Sequence, residues 1–181
     1  MVESLQPTQL RTYLALVEAV SLLQYAVRGQ LRSAGGLSYV QFEILAVLSD
    51  ADRPLTMTDL ADVVVYSRSG LTHQAGLLEQ ANLITRRTSP EDQRVTVVSI
   101  TDAGRARVAA VLPGHIDVVH TMLFESLSDH DVVALGDIMS RARDYMRTQP
   151  RRSVASRKPR SAGLLGRESP EVQAGDLLTD S

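Results

Sequence analysis

The feature that most constrains this chain is a change of hydrophobic period at Asn82. Up to that point apolar residues recur at helical spacing; from Leu83 to Ile100 they do not. Leu83-Ile84-Thr85-Arg86-Arg87-Thr88 and Val95-Thr96-Val97-Val98-Ser99-Ile100 are β-branched runs that bracket the polar stretch Ser89-Pro90-Glu91-Asp92-Gln93-Arg94. Two such runs joined by a Pro-containing loop predict a β-hairpin. The helical period returns after Thr101, with Val108, Val111, Leu112, Ile116, Val119 and Leu123. One hairpin set in an otherwise helical chain defines the expected class: mainly α, with a small β-hairpin.

The helices around the hairpin carry their own start and stop signals. Thr8 is the expected N-cap of a long first helix, and Gly35-Gly36 its stop. Its stripe (Leu10, Leu14, Val17, Tyr25, Leu31, widened by Leu16, Val20, Leu23 and Val27) is broader than the other helices of so small a domain can cover. Ser38 caps a second helix (Val40, Phe42, Ile44, Leu45, Val47, Leu48) that ends between Asp50 and Pro54. Thr56, with Asp59 three residues on, opens a short third helix through a weak variant of the capping box. Ser67 opens a fourth, with Leu71, Ala75 and Leu78 on one face and an end near Ala81-Asn82. Thr101 caps a fifth, with a bend expected at Pro113-Gly114. Ser128 with Asp131 caps a sixth, carrying Val132, Leu135, Ile138, Met139, Ala142, Tyr145 and Met146. The stretch 148–181 turns to Arg, Ser, Pro and Gly, with Arg151-Arg152 and Arg157-Lys158-Pro159-Arg160; it is expected to be a basic, disordered tail.

Composition narrows the function classes. The chain has no cysteine, which removes disulfides, thiolate nucleophiles and Cys-based zinc sites. No stretch approaches the roughly 18 consecutive apolar residues of a membrane span. The polar start Met1-Val2-Glu3-Ser4 lacks a secretory pattern, so a cytoplasmic protein is expected. The formal net charge is only −2, but it is unevenly spread. Between Ser67 and Val108 six Arg face four acids, a local +2, whereas the rest of 1–147 carries seven Arg against thirteen acids, a local −6. A positive middle between negative ends suits a protein that meets phosphate with one region.

Three helices followed by a hairpin make a winged helix-turn-helix, whose second helix-turn-helix member enters the major groove. Opposite Leu71, Ala75 and Leu78, that helix presents Ser67, Arg68, Ser69, Thr72, His73 and Gly76, groups suited to phosphates and base edges. Gly70 and Gly76 cost a helix about 1 kcal/mol each relative to Ala, which makes sense where a backbone is closely approached.

Four segments here resemble one family. Ser67-Arg68-Ser69-Gly70-Leu71-Thr72, Leu78-Glu79-Gln80-Ala81-Asn82-Leu83-Ile84, Pro90-Glu91-Asp92-Gln93-Arg94 and Thr101-Asp102-Ala103-Gly104-Arg105 are similar to the MarR family of bacterial transcriptional regulators. The resemblance covers residues 8–147 in element order, and its specific part is 56–105. It implies a winged helix head (38–100) and dimerisation helices (8–34 and 102–147) that interlock two subunits. It also implies that Arg94 reaches the minor groove from the wing tip, with Asp92 holding its guanidinium in place. The expected DNA-binding set is Ser67, Arg68, Ser69, Thr72, His73, Gln74, Arg86, Asp92 and Arg94. The chain departs from the family where many members carry Arg after the helix Thr: here stand His73 and Gln74, which implies weaker or mildly pH-dependent phosphate affinity. Leu77 also replaces a commonly polar position.

The function this implies is a ligand-responsive repressor that binds a pseudo-palindrome in double-stranded DNA as a homodimer. A small aromatic or anionic effector would sit near a dimer-core pocket at His115 or His120. Those two histidines are five apart and do not share a helix face as an i, i+4 pair would, so no metal site and no cofactor are expected. An enzyme is the second reading, against which stands the lack of a Gly-x-Ser-x-Gly turn, a phosphate loop or His-Glu-x-x-His. A winged helix used as a protein–protein module is the third; loss of the wing Arg with partner binding intact would point to it.

Overall fold

The computed structural model describes residues 4–64 and 66–149. The expected tail, with its arginine clusters at 151–160, lies outside those residues but for its first two. The order of elements is α1 (Pro7–Gly35), α2 (Tyr39–Asp50), β1 (Leu55–Thr56), α3 (Met57–Val64), α4 (Arg68–Gln80), β2 (Ile84–Thr88), β3 (Thr96–Ile100), α5 (Asp102–Val119) and α6 (Asp129–Thr148). A five-residue π-helical turn, His120–Phe124, follows α5 directly.

The expected caps at five helices are in place, that of α6 being the reciprocal Ser128–Asp131 pair at 3.1 and 3.3 Å. Ser38 accepts from the Gln41 amide at 3.3 Å, and the Ser38 amide donates back to the Gln41 side chain at 2.9 Å. Thr56 and Asp59 form the same reciprocal pair at 3.0 and 3.4 Å. Ser67 accepts from the Gly70 amide at 3.2 Å, and Thr101 from the Gly104 amide at 3.0 Å. Each satisfies amides that the first helical turn leaves without a partner. At α1 the expectation fails: the N-cap is Gln6, paired reciprocally with Gln9, with Pro7 at the first helical position. Pro lacks an N–H and has a preset φ, so it starts a helix and leaves Thr8 already inside it. The stop of α1 is as expected, with Gly36 in the left-handed conformation at φ 64°. The fifth helix runs on through Pro113 to Val119, and the π-helical turn follows it.

The sheet has three strands in the order β1-β3-β2, all antiparallel, where two strands were expected. Leu55 and Thr56 add the third by pairing with Val98 and Val97. The core lies under this head. Leu45 and Ile44 from α2, Leu60 from α3, Leu71, Ala75 and Leu78 from α4, and Ile84 and Val98 from the sheet are all buried. From α1 Val27 and Leu31 are buried in that core, with Leu23 packed against it, and from α5 Val108 and Val111. Every residue of α1 from Pro7 to Leu22 is exposed, including Leu10, Tyr13, Leu14, Leu16, Val17 and Val20. Sheet and α5 are joined without a linker. Ile100 ends β3, Thr101 caps α5, and the Thr101 hydroxyl and amide donate to the Asn82 and Leu83 carbonyls at 2.8 and 3.1 Å.

The chain divides into two compact units, one up to Ile138 and one from Met139. In the second, the described residues are helical to Thr148, with Arg143 paired to Asp144 at 2.9 Å.

Candidate nucleic-acid interface

The interface is built around α4. Leu71, Ala75 and Leu78 bury one side of it, because residues three and four apart share a face. The opposite side then carries Ser69 and His73, both exposed. Thr72 and Gln74, two positions and so about 200° apart around the axis, mark the two flanks. Thr72 faces the wing, and Gln74 faces the α1–α2 corner.

The Thr72 flank opens into a hollow of about 400 Å³ lined by Thr56, Thr58, Arg86, Arg94 and Thr96. It joins the start of α3, the middle of α4 and both wing strands, so hydroxyls and two guanidinium groups converge there. The Gln74 flank opens into a second hollow of about 440 Å³, with Arg28, Arg32, Ser38, Tyr39 and Tyr66 on its walls. Gln74 is therefore a flank residue, turned away from the face that carries Ser69 and His73.

Three of the expected DNA contacts also have local duties, of which the sequence revealed only that of Ser67. Ser67 is the N-cap of α4. Arg86 is held by Glu79: its Nε and Nη2 donate to Oε2 at 2.9 and 2.6 Å, and its amide to Oε1 at 3.1 Å. The hydrogen bonds from Arg86 hold the Glu79 carboxyl below its ordinary range. This pair ties the end of α4 to β2. Asp92 grips backbone, since its Oδ1 accepts the Arg94 amide at 2.9 Å, while its carbonyl accepts the Val95 amide at 2.9 Å. The expected Asp92–Arg94 side-chain pair is not among the ion pairs of the described residues. A turn aspartate two residues before a free amide closes on that amide first. That leaves the exposed Arg94 side chain free over the hollow.

Arg68, Ser69, Thr72 and His73 are exposed, as expected. The Thr72 hydroxyl donates to the Arg68 carbonyl at 2.8 Å, which leaves its oxygen as an acceptor. Of the two glycines of α4, only Gly70 answers to the protein's own side chains. A Cβ on Gly70 would lie 2.5 Å from the Tyr66 ring, and one on Gly76 would have only Arg86 Nη2 in reach, at 4.0 Å.

Away from α4, His115 stacks against Phe42 with ring centroids 4.6 Å apart, and its Nδ1 is buried without a partner. Burial pushes its pKa down. With Ile116, Val119, His120 and Phe124 it lines a mostly apolar hollow of about 360 Å³. No group of three metal-ligating side chains occurs among the described residues, and no helix among them is long and apolar enough to cross a membrane.

Comparison with known proteins adds independent findings. A family model described as the MarR family matches residues 35–95. The transcriptional repressor YetL of Bacillus subtilis is 33% identical over 111 residues, which is 59% of this chain and just under two thirds (66%) of YetL. Sco3205, a MarR family transcriptional regulator from Streptomyces coelicolor solved in complex with DNA, superposes with a TM-score of 0.78 at 28% identity, covering 85% of this chain and 96% of that one. AbsC, another MarR family regulator from the same organism, gives 0.76 at 27% identity, covering 82% and 100%.

Proposed function

This chain belongs to the MarR family, and from that premise we propose that it is a ligand-responsive repressor binding a pseudo-palindromic operator in double-stranded DNA as a homodimer. The observation that carries the reading is the exposed face of α4 with the wing arginine beside it: Ser69 and His73 stand outward, and Arg94 is free over the Thr72 flank. Ser69, Thr72 and His73 read base edges in the major groove, and Arg68 and Arg94 meet phosphate and the minor groove. Ser67, Glu79, Arg86 and Asp92 hold these groups in place, with Arg86 also closing the wall of the hollow. The exposed apolar length of α1 supports the dimer, because a patch of that size is an association surface. A two-fold pair would present two recognition helices to two half-sites. The hollow at His115 and His120 supports an effector site for a small aromatic anion, which acts only through its different affinity for two spacings of the heads.

Fluorescence anisotropy across a salt series tests the reading, using DNA from the region flanking its own coding sequence and an unrelated duplex. Arg94→Ala should weaken both complexes alike, by ~1–3 kcal/mol, and make the salt dependence shallower by about one phosphate per subunit. His73→Ala should lower the ratio of specific to non-specific affinity and spare the general term. If neither change alters binding, the head is not a DNA reader.

A further inference from the structure

The recognition helix is flanked by two hollows, and only one belongs to the wing. The other carries Arg28 and Arg32, one turn apart near the end of α1, beside the N-terminus of α2. Neither arginine has a carboxylate partner among the ion pairs of the described residues; Arg28 Nη2 donates to the Gln24 side chain at 3.1 Å. The nearest acid on α2, Glu43, is hydrogen-bonded to the Tyr39 hydroxyl, and burial holds its carboxyl above the usual range. The amides of Tyr39 and Val40 open α2 with no acceptor of their own in the helix. Two unpaired guanidinium groups and a positive helix end thus share one concave wall.

The dimensions say what such a wall meets. A helix with its side chains is about 10–12 Å across, and the major groove is about 12 Å wide. A helix seated in the groove therefore has a phosphate strand against each flank. On the Thr72 flank the wing hollow offers Arg94 to one strand, beside Arg86, which Glu79 holds. We infer that the Arg28–Arg32 hollow is a second phosphate cleft, which holds the backbone of the opposite strand while the wing hollow holds the first. This rests on the DNA-binding reading above. It assigns α1 a part in DNA contact and makes Gln74 a flank residue on the backbone side.

The test uses the full chain and a mixed-sequence duplex three helical turns long, since a phosphate cleft reads no sequence. The double variant Arg28→Ala/Arg32→Ala should lower the slope of log affinity against log salt by about 1.8 per subunit, close to 0.9 per phosphate. Arg28→Lys/Arg32→Lys should restore most of that slope, because counterion release counts charge. Both side chains are exposed, so equal thermal midpoints for the two variants establish that the fold is intact. A wild-type chain that binds duplex while the alanine variant keeps its full slope overturns the cleft and leaves the DNA reading standing. A wild-type chain that binds no duplex overturns both. If the slope is kept and inorganic phosphate or benzoate raises the midpoint of the wild type but not of the alanine variant, the hollow is a small-anion site instead.

Discussion

Gly104 is where the head and α5 are most tightly fitted, and replacing it with alanine should cost more than helix propensity returns. A Cβ there would overlap the Leu83 carbonyl oxygen and come within 2.7 Å of Ile100 Cγ1 and 3.1 Å of the Leu83 carbonyl carbon. The obstacle is backbone, which cannot swing aside, and that carbonyl already accepts the Thr101 amide at 3.1 Å. Alanine in a helix gains ~1 kcal/mol over glycine. Overpacking against fixed atoms costs ~1–3 kcal/mol, and spoiling the Thr101 bond adds ~1 kcal/mol. The net is a loss of ~2 kcal/mol, or a fall of about 4–8 °C in the thermal midpoint at ~2–4 °C per kcal/mol for a chain of this size. Circular dichroism melts at one fixed protein concentration measure it, since association shifts the midpoint by mass action. Gly76→Ala is the internal comparison: its Cβ enters open space, so its midpoint should stay level or rise by a few degrees. Gly104→Ala melting at or above wild type would refute the reasoning.

Two pH predictions follow from the shifted groups. Glu79 titrates below its ordinary value of 4.5, so its pair with Arg86 contributes fully above that value and is lost as the pH falls through the lowered one. Glu79→Gln should therefore melt lower than wild type at neutral pH, with the gap closing in acid; a gap independent of pH would show that the carboxylate charge is not what holds the wing. His115 titrates below its ordinary value of 6.5, so the unfolded chain takes up a proton first and stability declines as the pH drops below about 6.5. His115→Phe, which keeps a ring against Phe42, should flatten the midpoint across that window, and an unchanged slope would place the titration elsewhere.

Most of the architecture was legible because its signals are local. Ser38, Ser67, Thr101 and the Thr56–Asp59 pair declare helix starts within three residues, and the change of period after Asn82 declares the wing. What was not legible depends on distant parts meeting. Leu55-Thr56 is too short to show a period and becomes a strand only because Val97 and Val98 lie beside it. Gln6 caps α1 through an uncommon Gln–Gln pair. Glu79 finds Arg86 across the helix–strand turn, and no spacing rule for a single helix or strand joins them. Asp92 was expected to hold the Arg94 guanidinium, and it holds the Arg94 backbone amide instead. Arg28 and Arg32 look like solvated charges on a long helix until the fold sets them beside α4.

The direct passage from β3 into α5 couples the head to that helix like a crank to its shaft. With Thr101 bonded to both Asn82 and Leu83 and no residue left over to act as a hinge, a rotation of one is a rotation of the other. The 18 residues of α5 form an arm of ~27 Å at 1.5 Å per residue. A tilt of about 5° at one end displaces the other by ~2 Å, on the scale at which base-edge hydrogen bonds are made or broken. On the effector reading proposed above, a molecule lodged beside His115 would act on His73 by tilting α5 rather than through a path of side-chain rearrangements.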